Sequence, residues 1–208
     1  MGQPQVAKKT YTIEEWLALE EETGERYEYH FGEIFSVSAM AGGSMAHTRI
    51  SRNALVNIDN HFTGKKKNCE VFSSEAKIQV NTAGRYVYPD TLAVCGDVEE
   101  SEKVKGAILN PILVIEVVSD SSEAYDRGAK FRYYRRLPSV KEYLILEQVR
   151  PAATVYRRQG NGDIFSRYEY EGLEATVALT SIDLELPLGR FYRNVEFSDL
   201  SDEVAKPE

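Results

Sequence analysis

Pro111-Ile-Leu-Val-Ile-Glu116-Val-Val118 is a near-continuous apolar run, and a short run of this kind reads as a β-strand buried on both faces. Glu116 is its anomaly. A carboxylate inside such a strand is costly unless it is paired or coordinates a metal, because the interior does not replace the water around a charge. Beyond the run, Ser119 to Glu123 can cap a helix through Leu137, Pro138 ends it, and Val140 to Leu146 is another β-rich segment. A strand, crossover helix and strand are therefore predicted, the unit that joins parallel strands. Upstream, Tyr86 to Val94 reads as one strand holding Tyr88-Pro-Asp90, where proline marks a sheet edge or a local distortion.

Working outward, Thr12-Ile-Glu-Glu15 sets a capping hydroxyl three residues before a glutamate, and Trp16, Leu17 and Leu19 continue a helix to about Glu22, stopped by Gly24. Arg26 to Phe31 and Glu33 to Ala39 form a predicted hairpin hinged on Phe31-Gly32. From Ser44 to Phe62, apolar Ile50, Ala54, Leu55 and Ile58 keep the period of a long amphipathic helix. Gly42-Gly43-Ser44 opens it, a weak phosphate cradle in the absence of a P-loop lysine. Strands follow at Cys69 to Phe72 and Ala76 to Val80, with Asn81-Thr-Ala-Gly84 as a turn and Glu99 to Gly106 as a loop. Ala153 to Tyr156, Ile164 to Tyr170 and Thr176 to Leu179 read as extra C-terminal strands, and the acidic tail after Phe197 as frayed. The expected class is α/β with a mixed sheet: one domain over 1–208, its core about 12–197.

The 208 residues, 42% hydrophobic and 28% charged, suit one globular domain. No apolar stretch approaches a membrane span and the N-terminus lacks a signal-peptide core, so a cytoplasmic protein with no membrane contact is expected. Cys69 and Cys95 are far apart and outside any metal-ligand pattern, and read as buried free thiols. A net charge of −8 argues against non-specific coating of DNA. It hides an asymmetry: residues 127–158 hold nine Lys/Arg against Glu142 and Glu147. Arg127, Arg132, Arg135 and Arg136 in that block are candidates for nucleic-acid contact, the alternative being a solvated helix face.

The chemistry centres on three residues. Asp90 and Glu116 supply oxygen donors of the kind a hard cation such as Mg²⁺ requires, Mn²⁺ being an acceptable substitute; the alternative is that either acid pairs with an arginine. Asp126 and Lys130 are four residues apart and share a helix face with Tyr133, Tyr134 and Leu137. An ammonium over the two acids would orient water and stabilise charge on a phosphate; otherwise the pair is an ordinary surface contact. Tyr133 and Tyr134 serve either as core or as a stacking platform. His47 has phosphate-binding, proton-shuttling and structural readings, with the structural one preferred, while His30 and His61 receive no role.

Tyr88-Pro-Asp90, Pro111 to Ser119, Asp126-x-x-x-Lys130-x-x-x-Tyr134 and Val140 to Leu146, in that order, resemble the successive blocks of the Uma-type family of bacterial restriction endonucleases, a branch of the PD-(D/E)XK nuclease superfamily. Arg26-Tyr-Glu28, Gly32-Glu33-Ile34 and His47 match its opening blocks, so the resemblance spans about residues 12–197. It implies a restriction-endonuclease-like fold, Asp90 and Glu116 as metal ligands, Lys130 as the catalytic lysine and Glu33 as a further acid near the metal. The superfamily lysine lies two residues after the second acid, where this chain has Val118, so its role passes to Lys130 on the following helix. Glu75-Ala-Lys77 also matches the acid-x-lysine half of the signature but precedes Asp90; it reads as an exposed strand face with Lys77 the lesser alternative.

The expected function is divalent-metal-dependent hydrolysis of DNA phosphodiesters by a homodimer, two sites being the simplest way to cut both strands. The alternatives are a non-catalytic nucleic-acid- or protein-binding module on the same scaffold and a metal-dependent hydrolase of another phosphoester.

Overall fold

The structure is a computed structural model that describes residues 9–37, 44–81, 83–119 and 121–197. The polar start, the Ala39 end of the predicted hairpin, Gly42-Gly43 and the tail after Phe197 lie outside the described residues. In chain order the elements are α1 (Ile13–Thr23), β1 (Tyr27–His30), β2 (Glu33–Ser36), α2 (Met45–Lys65), β3 (Cys69–Ser73), β4 (Lys77–Asn81), β5 (Arg85–Val87), β6 (Thr91–Cys95), β7 (Ala107–Ile108) and β8 (Leu113–Val118). A π-helical segment (Tyr125–Lys130) then runs into α3 (Phe131–Tyr134), followed by β9 (Glu142–Glu147), β10 (Ala152–Arg158), β11 (Phe165–Glu171), β12 (Thr176–Leu179), β13 (Leu184–Pro187) and a 3₁₀ turn (Leu188–Arg190).

β8 is buried at every position, as its apolar run requires. Side chains alternate along a strand, so Leu113, Ile115 and Val117 meet Ile50, Ala54, Ile58 and Phe62 of α2, while Val114 and Val118 join Tyr134, Leu137, Tyr143 and Ile145 in a second cluster. Glu116 belongs to the second face. β8 is central in a mixed six-stranded sheet of order β11-β10-β9-β8-β6-β3, parallel to β9 and antiparallel to β6. The predicted strand, crossover and strand are thus present. The β12–β13 hairpin adds Val177, Leu179, Leu184 and Leu186 to the α2 side.

The segment Tyr86 to Val94 is not one strand. It divides at Pro89: β5 belongs to a five-stranded sheet of order β2-β1-β5-β4-β7, and β6 to the six-stranded one. Proline has no N–H for a central ladder, and the preceding Tyr88 N–H leaves the ladder to donate to Glu28 Oε1 at 3.3 Å. The break delivers Asp90 to the junction of the two sheets. On the other side of the five-stranded sheet, α1 is held by the expected capping box, with Thr12 and Glu15 exchanging bonds of 2.9 and 3.1 Å. Its Trp16 packs against Tyr29 and Tyr86. Phe31 and Gly32 both have positive φ, 55° and 95°, the requirement of the two-residue turn that closes β1–β2.

Two further expectations are corrected. Cys69 and Cys95 form a disulfide, because the antiparallel register of β3 and β6 sets them directly opposite, 4.0 Å apart at Cα. Their separation of 26 residues said nothing of that pairing. The crossover helix begins as a π-helical segment, with Phe131 N–H bonded to Asp126 O five residues back. The wider turn sends Asp126 and Lys130 inward together, and both are buried.

Candidate active site

Five elements converge on one pocket at the junction of the sheets. β1 supplies Glu28, the Pro89 break supplies Tyr88 and Asp90, β8 supplies Glu116, the π-helical segment supplies Tyr125, Asp126 and Lys130, and α2 supplies His47. Lys130 Nζ is the hub: 2.9 Å from Glu116 Oε1, 3.4 Å from Asp126 Oδ1 and 3.5 Å from Glu28 Oε1, and it donates to the Tyr88 carbonyl at 3.1 Å. Around it each acid is held. Asp90 Oδ2 accepts the Val117 N–H at 2.7 Å, and its Oδ1 faces His47 Nε2 at 3.2 Å. Tyr134 donates its hydroxyl to Glu116 Oε1 at 2.7 Å, and Tyr125 donates to Glu28 Oε2, which also faces His30 Nε2 at 3.3 Å.

The electrostatics are unbalanced. Glu28, Asp90, Glu116 and Asp126 face one ammonium, Lys130, and two imidazoles, His47 on Asp90 and His30 on Glu28. Glu116 is 3% exposed, and its carboxyl is held well above the usual range, first by burial, with Lys130 opposing and the charges of Asp126 and Asp90 adding to the rise. Burial likewise raises Asp126 despite Lys130. Glu28 goes the other way: burial pushes it up, but Lys130, His30 and Tyr125 together outweigh that and lower it. For Lys130, burial favours the neutral amine, yet Glu116, Glu28, Asp126 and Asp90 overcome it and keep the side chain protonated. His47 is raised because Asp90 outweighs its partial burial.

The residues singled out from sequence fall into two groups. Asp90, Glu116, Lys130, Asp126, Tyr134 and His47 come together as described. Glu33 does not line the pocket; it sits at the turn end of the hairpin, in register with His30. The acid this hairpin presents is Glu28, buried, on the same face as His30 two residues on. Its signal was the Arg26-Tyr-Glu28 block. Tyr125 and the Tyr88 carbonyl had no sequence signal, since a π-turn and a strand break are needed to bring them in. Lys77 is not on an exposed face: it pairs with Glu20 at 2.8 Å over the rings of Trp16 and Tyr88. His61 contacts the Ile182 carbonyl at 2.9 Å. Among the basic block, Arg127 is tied to Glu123 and Glu147, both at 2.7 Å, while Arg132, Arg135 and Arg136 line a separate exposed concavity with Asp163. Tyr133 packs under the Arg85 guanidinium at 3.8 Å.

A mixed sheet between helices, broken at one strand to collect acids and a lysine, defines an α/β protein with a nuclease-like core. The same fold occurs in a crystal structure described as "a putative nuclease belonging to DUF820" from Anabaena variabilis, at a TM-score of 0.65 and 18% identity over 88% of this chain and 97% of that one. The Uma2 family model, described as "Putative restriction endonuclease", matches residues 13–195, and the chain belongs to that family. It is also similar to two uncharacterized proteins of Synechocystis sp. (strain ATCC 27184 / PCC 6803 / Kazusa). With slr1290 it shares 36% identity over 88% of this chain and 92% of that one. With sll1609 it shares 29% over 74% and 84%. No helix among the described residues is long and apolar enough to cross a membrane.

Proposed function

We propose that the chain is a divalent-metal-dependent DNA endonuclease, with Asp90 and Glu116 as metal ligands and Lys130 as the catalytic cation. One observation carries this reading: Asp90, Glu116 and Asp126 crowd one pocket, where burial first and the charges of Asp126 and Asp90 after it hold the Glu116 carboxyl upward even with Lys130 at 2.9 Å. Such a pocket has room for more positive charge. Its donors are carboxylate oxygens, which fit Mg²⁺ or Mn²⁺. Among the described residues no group of three or more His, Cys, Asp or Glu side chains is placed to hold a metal ion, so the reading rests on the pair Asp90 and Glu116; Mg²⁺ ordinarily takes one or two carboxylates and keeps water and phosphate oxygens for the rest. When bound, the ion supplies Lewis-acid polarisation of a phosphoryl oxygen.

The protein's own groups do the remainder. Lys130 stays protonated, so it acts as a hydrogen-bond donor and a fixed positive charge toward the phosphate, not as a base. Its own position is set by the Tyr88 carbonyl and by Glu28. His47 and the Val117 N–H fix the two oxygens of Asp90, and Tyr134 fixes Glu116.

Incubation of supercoiled plasmid with Mg²⁺ or Mn²⁺ tests the reading. The wild-type protein is expected to cut and Asp90→Ala is not; equal cutting by both would assign the activity to a contaminant. Linear product without accumulated nicked circles would support the homodimer with two coordinated sites. A second reading, a non-catalytic binding module, draws on the fact that Lys130 already serves three of the acids as counter-ion. Calorimetry separates them: salt-sensitive DNA binding with no heat of metal binding favours the module.

A further inference from the structure

The pocket opens along α2. His47, Tyr88 and Asp90 line both the catalytic pocket and a neighbouring cavity, and Arg52 lines both that cavity and a groove of about 290 Å³ between α2 and the chain around the 3₁₀ turn. This groove is walled by Arg52, Arg190 and Arg193, with asparagines between them and no carboxylate. We infer that it is a phosphate-backbone track, holding the DNA strand as it leaves the catalytic pocket; this rests on the nuclease reading above.

The charges there are free to act on a ligand. Arg127, Arg150 and Arg157 are each tied to glutamates, whereas among the described residues no acid pairs with Arg52, Arg190 or Arg193. The partners in the groove are neutral. Arg52 Nη2 donates to Asn53 Oδ1 at 3.0 Å and Arg190 Nε to Asn57 Oδ1 at 3.2 Å, which orient each guanidinium without neutralising it. Asn53 and Asn57 are themselves anchored, donating to the carbonyls of Phe191, Arg193 and Arg190 at 2.8, 2.9 and 3.2 Å. The two walls are thus clamped together and the arginines preorganised, the property that makes fixed guanidinium groups good phosphate binders. The net positive charge is notable in a chain of net charge −8.

Geometry agrees. His47 and Asn60 stand thirteen residues apart on one helix, about 20 Å at ~1.5 Å per residue, long enough for several successive phosphates of one strand. Arg52 falls one and a half turns from His47, between the reactive end and the arginines on the far wall.

The test is fluorescence anisotropy of a labelled DNA duplex across a salt series without divalent metal. Three proteins are compared: wild type, Arg52→Gln/Arg190→Gln/Arg193→Gln, and Arg132→Gln/Arg135→Gln/Arg136→Gln on the other basic concavity. Each phosphate contact contributes about −0.9 to the slope of log K against log salt, so the groove variant is expected to flatten it by about 2.7, making wild-type binding roughly 40-fold more sensitive than the variant's to a fourfold salt rise. The other triple is expected to keep the wild-type slope. Arg193→Gln alone, whose side chain makes no hydrogen bond among the described residues, should flatten the slope by about 0.9 and guards against misfolding. An unchanged slope in the groove variants, with wild type still binding and cutting DNA, overturns the track and leaves the nuclease reading standing. Absence of wild-type DNA binding in this assay overturns the track, and only absence of plasmid cutting in Mg²⁺ or Mn²⁺ as well overturns the nuclease reading.

Discussion

Glu116 and Glu142 are buried glutamates on neighbouring strands of one sheet, and the fold treats them in opposite ways. Glu142, on β9, is fully buried and saturated with donors: Arg157 Nε at 2.6 Å, the N–H and hydroxyl of Thr180 both at 3.2 Å, and the N–H and hydroxyl of Ser181 at 2.8 and 2.6 Å. These are spread over both carboxylate oxygens and fasten β9 to the turn after β12. Glu116, on β8, has its described partners Lys130 and Tyr134 on a single oxygen, and lies in the field of two other acids. Burial of a carboxylate therefore does not identify a functional one. What separates them is whether its charge is fully answered by protein donors or left short beside an open pocket.

The largest effect expected from this contrast is on stability. Glu142→Ala leaves Arg157 partly buried beside orphaned Thr180 and Ser181 donors, and should lower the unfolding free energy by about 3 to 5 kcal/mol in urea titration. Glu116→Gln relieves like-charge repulsion as it weakens the Lys130 pair, so its change should stay within about 1 kcal/mol. Equal losses from the two would erase the distinction. Next comes activity: Glu116→Gln or Asp90→Asn should reduce plasmid cleavage by about 100- to 1000-fold or more, the scale of removing one preorganised electrostatic group. Glu142→Gln, wherever it still folds, should cut at a rate near wild type.

The disulfide provides a smaller change unrelated to the pocket. Closing a 26-residue loop should contribute about 3 kcal/mol by restricting the unfolded chain, so reductant or Cys69→Ser/Cys95→Ser should lower the urea midpoint while metal affinity is unaltered. The smallest effect is in pH. The raised Glu116 carboxyl gives a stability contribution present below its unfolded value and lost as pH rises through its folded one, since ionising it in the pocket is unfavourable. A metal that binds the ionised form offsets that loss. The Mn²⁺-induced rise in melting temperature should accordingly be larger at ~pH 8 than at ~pH 6; a rise that shrinks with pH would separate the ion from Glu116. Glu28 has the opposite sign, lowered by Lys130, His30 and Tyr125 after burial's opposing push, and its contribution is lost as pH falls through its depressed folded value.

Much of the fold was legible because local chemistry and global packing agreed. The capping box at Thr12-Glu15, the turn at Phe31-Gly32, the amphipathic α2 and the strand, crossover and strand around Glu116 all have short-range causes. The failures share a cause as well. Tyr86 to Val94 has the composition of one strand, and only the demand of two sheets for its two halves shows that Pro89 is a crossing. The cysteine pairing depends on the register of β3 against β6, and the register on packing. The family resemblance named Glu33 as a further acid, whereas the hairpin acid that lines the pocket is Glu28; which face of β1 meets the pocket depends on the packing of the two sheets, which the motif does not carry.

The sequence by itself determined that Glu116 is an ion out of place, that Asp90 stands beside a proline in an apolar segment, and that Lys130 lies on a helix directly after β8. Those are consequences of residue type and short spacing. Only the tertiary structure decided that they meet, because the meeting needs a break at Pro89, a π-turn that points Asp126 and Lys130 inward, and a hairpin from the other sheet bearing Glu28. Each is a compromise between backbone geometry and the burial of charge, and such compromises are resolved by long-range contacts rather than by any local stretch of chain.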